Sequence, residues 1–486
     1  MDISYKEFAM DSQIVLAVSF ALYNLLIIGI GLYSTKLKKE TIEDFVLANR
    51  ELGPWASALS ASASSESGWV MLGLVGMAFV DGAAAFWIVP GIALGYIFNW
   101  YYLAEKLRKA TAENGAVTIP QYIALRFGKD SETLKLVSST IIIIAMLGYV
   151  AAQMNAAGKA FDATFSLPYW MGVVIGAGII LIYTVFGGFR AVCWTDIIQS
   201  SFMFVALLVI PFVILYQLGG FSNFIDIIQL SNPDFLSITA GKSGFTLIGF
   251  VVGFLGIGLG YPGQPHILAR FMAAKDESTI HTGSLIALTW MTFVYVGAIF
   301  FGMFAKAYFG TIADPEQALP LAVNEMLSPV MGGFVIAAIV SAICSTADSQ
   351  LIVVSTIFSR DILPMFSSKK ISDLKKTIVI DKIVLIVLAV ISVFFALTKN
   401  RVIFDFVLYA WSVLGASFGP VVILGLVWKK ATKAGAISGM ITGLIVTVVW
   451  KDVAVLKNLV YELVPAFILA TLAVILVSLM TTDEKS

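Results

Sequence analysis

With 486 residues, 59% of them hydrophobic and only 13% charged, the chain has too little polar surface to cover a water-soluble domain of its size. Its 31 Lys and Arg balance 31 Asp and Glu, leaving no net charge to draw nucleic acid or another polyanion. Cys193 and Cys344 both fall at or inside apolar runs, which excludes a disulfide framework and fits small buried packing.

Hydropathy predicts thirteen membrane spans, at 14–34, 53–80, 83–107, 135–157, 168–187, 192–217, 245–268, 281–308, 331–355, 377–397, 402–427, 434–452 and 458–480. Most hold about 20 mainly apolar residues, enough to cross the hydrocarbon core. Ahead of the first span lie Asp2, Glu7 and Asp11 with no basic cluster, so that span is expected to be retained rather than cleaved. Basic residues recur in alternate loops: Lys36, Lys38, Lys39 and Arg50, then Lys106, Arg108, Lys109, Arg126, Lys129 and Lys135, later Lys369, Lys370, Lys375 and Lys376, and Lys429, Lys430 and Lys433. The positive-inside rule then places the N-terminus outside and the C-terminus in the cytoplasm of an inner-membrane protein.

Two of the spans are interrupted in the same way. Ser60-Ala-Ser-Ala-Ser-Ser-Glu-Ser-Gly-Trp69 breaks the span at 53–80, and Gly258-Leu-Gly-Tyr-Pro-Gly-Gln-Pro265 breaks the one at 245–268. Backbone freed from a helix is costly in lipid and persists only beside a cavity, ion or solute. Each break opens a run of five spans, 53–217 and 245–427, separated by a connector at 218–244. An odd number of crossings forces the second run to enter from the opposite side. The predicted fold is therefore an all-α polytopic LeuT-like inverted repeat, 5+5, with an extra N-terminal segment (1–52) and two C-terminal helices (428–486).

Glu66, Asp196 and Asp348 are acids at or within spans, where a charge costs about 2.5–3.5 kcal/mol or more and usually serves a cation or proton. Ala342, Ser345, Thr346 and Ser349 share one helix face with Asp348 close by, a row of hard oxygen donors suited to Na⁺. His266 and His281 lie outside metal-ligand spacing of other donors. Paired nucleophile–base motifs and phosphate-binding glycine loops are absent from the sequence, which argues against catalysis and against ATP-driven transport.

Ser67-Gly-Trp69 with its Ala/Ser-rich lead-in, Trp194-Thr-Asp196, the run from Gly258 through Gln264-Pro-His-Ile-Leu-Ala-Arg-Phe-Met272, and Ser345-Thr346 resemble the sodium:solute symporter family, and within it the sodium/proline symporters. The likeness extends to Gly187-Gly-Phe189 and Tyr409 through Pro420. It implies a main Na⁺ site from the carbonyls of Ala63, Glu66 and Ala342 with the hydroxyls of Ser345 and Thr346. A second Na⁺ site would map to Asp196, Ser345, Asp348 and Ser349. Implied solute contacts are Ser67, Gly68, Tyr149, Gln153, Tyr261, Gln264 and Pro265, and Arg50 matches a basic residue that matters for coupling.

The chain also departs from that pattern. Proline symporters typically read Asp-Met-Ser-Gly-Trp where this chain reads Ser65-Glu-Ser-Gly-Trp69, and a Trp that usually precedes the Tyr by four residues is Ile257. The expectation is Na⁺-coupled uptake of proline or a related amino acid by a chain that needs no organic cofactor and no nucleic acid and functions as a monomer. Coupling to H⁺, a monocarboxylate solute, and a non-transporting solute sensor remain open alternatives.

Overall fold

In hydrocarbon each backbone N–H needs an acceptor within the chain, so the long apolar runs fold as helices. The computed structural model describes residues 2–34, 36, 41–366, 374–398 and 402–481. Lys38, Lys39, Lys369 and Lys370 of the predicted basic loops lie outside the described residues. Among those described, helices account for the regular structure, and one isolated parallel bridge joins Leu52 to Ala274.

Each predicted span overlaps a helix, but the partition differs. By length and hydropathy eleven helical runs qualify as crossings: 69–114 counts as one run although Gly82 (φ 60°, ψ −134°) turns the chain between the predicted spans 53–80 and 83–107, and Tyr169–Ile182 is a shorter apolar helix. That shorter stretch continues into one 49-residue helix, Tyr169–Gln217, kinked at Gly188 (φ 67°, ψ −173°). The positive φ there suits a residue without Cβ. The connector at 218–244 is not all loop: Phe221–Ser231 is helical, as is Ala318–Met326 in the segment after the Glu277–Phe309 helix.

Burial is inverted relative to a soluble protein. Leu22, Ile144, Phe212, Leu285 and Phe394 face outward, whereas Ser60, Glu66, Asp196, Arg270 and Asp348 are fully buried. The Pro329–Ile357 helix is among the most enclosed, packing against the helices Asp2–Ser34, Pro54–Ser65, Glu132–Phe165 and Tyr169–Gln217. Outward apolar and inward polar faces are what lipid as solvent demands.

Both ends of this assembly are tied by charge. At one, Arg50 donates to Glu43 (2.6 Å), Thr111 Oγ1 and O, Ala116 O and Met272 O, while Arg190 pairs with Asp44 and Ala48 O. At the other, Lys159 meets Asp314 (2.7 Å) and Glu316 (2.5 Å). Glu316 also accepts from the N–H groups of Ile403 and Phe404, capping the first turn of the Ile403–Val427 helix.

Candidate functional site

The first break has a local cause. Pro54 starts a helix that runs to Ser65, and Glu66 (φ −93°, ψ 77°) then leaves helical space before Trp69 restarts the helix with a wider π turn. A helix that stops at mid-depth leaves its last carbonyls without amide partners. Ser62 O takes the N–H of Glu66 (2.8 Å) and the hydroxyl of Ser65 (3.0 Å). Ala63 O and Ser64 O turn instead to the Pro329–Ile357 helix.

There Ser345 Oγ lies 2.8 Å from Ala63 O and 3.2 Å from Ala342 O, and Thr346 Oγ1 lies 3.3 Å from Ala63 O and 3.1 Å from Ser64 O. Ala63, Ala342, Ser345 and Thr346 are thus brought together, all fully buried. The set is oxygen only, at the negative end of a half-helix dipole, a donor chemistry that fits a hard cation such as Na⁺. Each hydroxyl offers lone pairs once its hydrogen turns away. Glu66 enters differently: its carboxylate accepts from Tyr96 (2.5 Å), Tyr261 (3.2 Å) and Ser65 (3.1 Å) on Oε1 and from Tyr295 (2.6 Å) on Oε2.

Asp196, Asp348 and Ser349 are buried near this set, and Arg270 stands among them. Its guanidinium donates to Asp196 Oδ2 (3.3 Å), Ser60 Oγ (2.9 Å), His266 O (2.9 Å) and Ser349 Oγ. Ser60 donates to the same Asp196 oxygen at 2.6 Å, and Ser64 bonds Ser349 at 2.9 Å. Two of the four residues implied for a second Na⁺ are therefore bridged by a side-chain cation.

Ser67, Gly68 and Gln153 form one unit: Gln153 Oε1 accepts from the N–H of Gly68 (3.0 Å) and Nε2 donates to Ser67 Oγ (3.2 Å). The second broken span supplies Tyr261, Gln264 and Pro265 through a 3₁₀ stretch, Ile257–Gly263, that ends at extended Gln264. A Cβ on Gly260 would sit 1.9 Å from Trp411 Nε1, so only glycine lets this backbone approach the indole. Trp411 donates to Ile257 O (3.0 Å) and packs edge-on against Tyr261 (4.8 Å), so an indole borders Tyr261 although position 257 lacks one. Gln264 Nε2 holds Gly260 O and Trp411 O. Gln264 Oε1 is buried without a hydrogen-bond partner among the described residues, and Tyr149 OH and the His266 ring, also buried, have at most a loose contact with Ser67 and with the main chain of Ser64. Unspent buried polar groups of this kind ask for a polar solute.

Arg270, Tyr96, Tyr295 and His266 were not assigned roles from sequence. Arg270 follows the end of the predicted span 245–268, where a basic residue reads as a helix end.

The sequence profile described as the sodium:solute symporter family matches residues 45–443. The chain belongs to this family. It is 36% identical over 475 residues to a Bacillus subtilis (strain 168) protein described as the osmoregulated proline transporter OpuE, covering 96% of this chain and 95% of that one. It is 34% identical over 476 residues to a sodium/proline symporter of Escherichia coli (strain K12), covering 95% and 92%. Among solved structures, a Na⁺-coupled sialic acid symporter in a substrate-bound outward-open state superposes with a TM-score of 0.81 at 17% identity, covering 97% of this chain and 98% of that one. The nucleobase-cation-symport-1 transporter Mhp1 in a closed conformation gives 0.53 at 12%, covering 89% and 94%. The fold is LeuT-like and all-α, and the chain is an integral membrane transporter rather than an enzyme.

Proposed function

We propose that this protein couples the inward movement of Na⁺ to uptake of a small zwitterionic solute, proline or a close relative, by alternating access across the plasma membrane. The observation that carries the reading is the meeting of Ala63 O with the Ser345 and Thr346 hydroxyls at the end of a broken helix, within a member of this family. In this reading the main Na⁺ is held by Ala63, Ala342, Ser345 and Thr346 with the main-chain carbonyl of Glu66. The solute lies against Ser67, Gly68, Tyr149, Gln153, Tyr261, Gln264 and Pro265, with His266 beside Tyr149. Proline relatives at 34–37% identity support the solute class. A second Na⁺ at Asp196, Ser345, Asp348 and Ser349 requires the Arg270 guanidinium to move aside. Arg50 serves coupling from the end assigned to the cytoplasm, the N-terminus being outside.

One Na⁺ crossing 100 mV releases about 2.3 kcal/mol. A tenfold Na⁺ gradient adds about 1.4 kcal/mol. Their sum supports accumulation of roughly 500-fold, ample for nutrient or osmolyte uptake.

The test is uptake of labelled proline into proteoliposomes with external Na⁺ replaced by choline at fixed pH. Accumulation that collapses without Na⁺ is expected. Uptake that persists in choline and follows an imposed pH gradient would assign H⁺ as the driver. Ile257, where proline symporters carry Trp, favours keeping other amino acids and monocarboxylates in the same solute panel.

A further inference from the structure

We propose that the Glu66 side chain is a positioning residue, a pin that holds the first two spans of both repeats together across the unwound centres of the two first spans. The inference goes beyond the transport reading, which uses only the main chain of this residue.

The geometry separates two jobs at one break. The backbone of 63–68 reaches outward to the third span of each repeat: Ala63 O and Ser64 O to Ser345 and Thr346, and Gly68 N to Gln153. Among the described residues the Glu66 carboxylate reaches those of the first and second spans. Tyr96 lies on the second span of the first repeat, Tyr261 on the first span of the second repeat, and Tyr295 on the second span of the second repeat. Ser65 adds a donor from the same span as Glu66. The three tyrosines thus come from the three spans that, with Glu66's own, make up a symmetry-matched set of four.

The chemistry suits a pin. A carboxylate accepts at about four lone-pair sites and donates at none. Each tyrosine has one hydroxyl hydrogen, and each of these three has Glu66 within reach. Ring contacts tighten the cluster: Tyr96 meets Tyr261 at 4.9 Å and Trp69 meets Tyr295 at 5.8 Å. Both first spans are broken here, so helix hydrogen bonds cannot transmit stiffness through mid-membrane. A shared anionic acceptor restores it, letting the set move as a unit against the remaining helices while the cation site forms and dissolves between them.

Glutamine at this position turns one acceptor oxygen into a donor, so at least one hydroxyl loses the acceptor for its hydrogen. The experiment reads stiffness directly. Cys193 and Cys344 are replaced by Ala, and spin labels are placed at Trp55 and Val80, exposed residues on either side of the break. About 25 residues of near-helical chain put them about 35–40 Å apart. A control pair sits at Val379 and Phe394, both outward-facing on the Leu374–Ala396 helix.

Glu66→Gln and the Tyr96→Phe/Tyr295→Phe double substitution should at least double the width of the Trp55–Val80 distance distribution and leave the control pair unchanged. Transport velocity should fall tenfold or more while half-saturating Na⁺ moves less than threefold. Tyr295→Phe alone, which keeps the carboxylate and the donors Ser65, Tyr96 and Tyr261, should broaden the distribution by a smaller amount and serves if Glu66→Gln does not insert. A wild-type width in these variants overturns the proposal. So does a loss confined to solute half-saturation, which would make Glu66 a solute contact. The label distances need no transported solute, so an error in the assigned solute or ion leaves this result standing.

Discussion

Two orphan carbonyls of a stopped helix fix where the Ser345 and Thr346 oxygens lie. Replacing both with Ala removes the hydroxyl donors of the proposed ion shell but little volume. Half-saturating Na⁺ for uptake should rise at least tenfold, which corresponds to about 1.4 kcal/mol. Melting in detergent without Na⁺ should shift only a few degrees, and an unchanged Na⁺ requirement would remove these hydroxyls from the ion site. Gly260 makes a second residue-scale case: an added Cβ meets Trp411 Nε1 at 1.9 Å, and overpacking of this kind costs about 1–3 kcal/mol. Gly260→Ala should lower the melting temperature and abolish uptake, whereas a fully active variant would show that the indole gives way. The hydroxyl row was legible beforehand because its spacing puts it on one helix face. Tyr96 and Tyr295 were not, since an aromatic residue in an apolar helix looks the same whether it packs or donates. Arg270 was hidden by its place in a short helix after Pro265, where a basic residue reads as a helix end rather than as a partner for Asp196.

Between elements, the breaks were easier to read than the connections. Glycine, proline and serine at membrane depth announce irregular backbone, and both interruptions fall where those residues cluster. The helix Phe221–Ser231 was missed because flanking Gly219, Gly220, Asn232 and Pro233 punctuate the segment like a loop, although between them its apolar positions have helical spacing. The Lys159–Glu316 pair is likewise invisible in sequence, its partners standing 157 residues apart. It locks the 310–328 connection onto the start of the Ile403–Val427 helix. Removing Glu316 leaves Lys159 with Asp314 alone and strips two N–H groups of the Ile403–Val427 helix of their acceptor, and breaking a buried ion pair costs up to about 3–5 kcal/mol. Glu316→Ala should therefore destabilise strongly, and adding Lys159→Met should recover part of the loss; additive effects in that double-mutant cycle would mean the two do not act together. At the opposite end Arg50 reaches residues 43, 111, 116 and 272 through a planar fork that lysine cannot reproduce. Arg50→Lys should lose most transport velocity with Na⁺ binding intact by thermal shift, and full activity in that variant would place coupling elsewhere.

Across the whole molecule, the contacts at the first break join the first span of one repeat to the third span of each. Anything that binds where they join stabilises the assembled form by mass action. Na⁺ at a hundredfold excess over its Kd should add about 2.7 kcal/mol. The expected reading is a melting temperature that climbs with Na⁺ and not with choline at equal ionic strength, and that no longer climbs in the Ser345→Ala/Thr346→Ala variant. A rise that survives that variant would locate the ion elsewhere. The LeuT-like fold was readable because two interrupted spans sit within long apolar runs, while the joining of the spans 168–187 and 192–217 into one helix kinked at Gly188 was not, since hydropathy does not register such continuity. The Ser345 and Thr346 hydroxyls donate to Ala63 O and Ser64 O, and the first of these carbonyls belongs to the proposed ion shell. A bound cation therefore competes with hydroxyl hydrogens, which must turn away from the oxygens it takes. Its net affinity is then a small difference between large attractions. A carrier that releases its cargo on the far side thousands of times needs such an internal competitor, which reseals the cage as the ion departs.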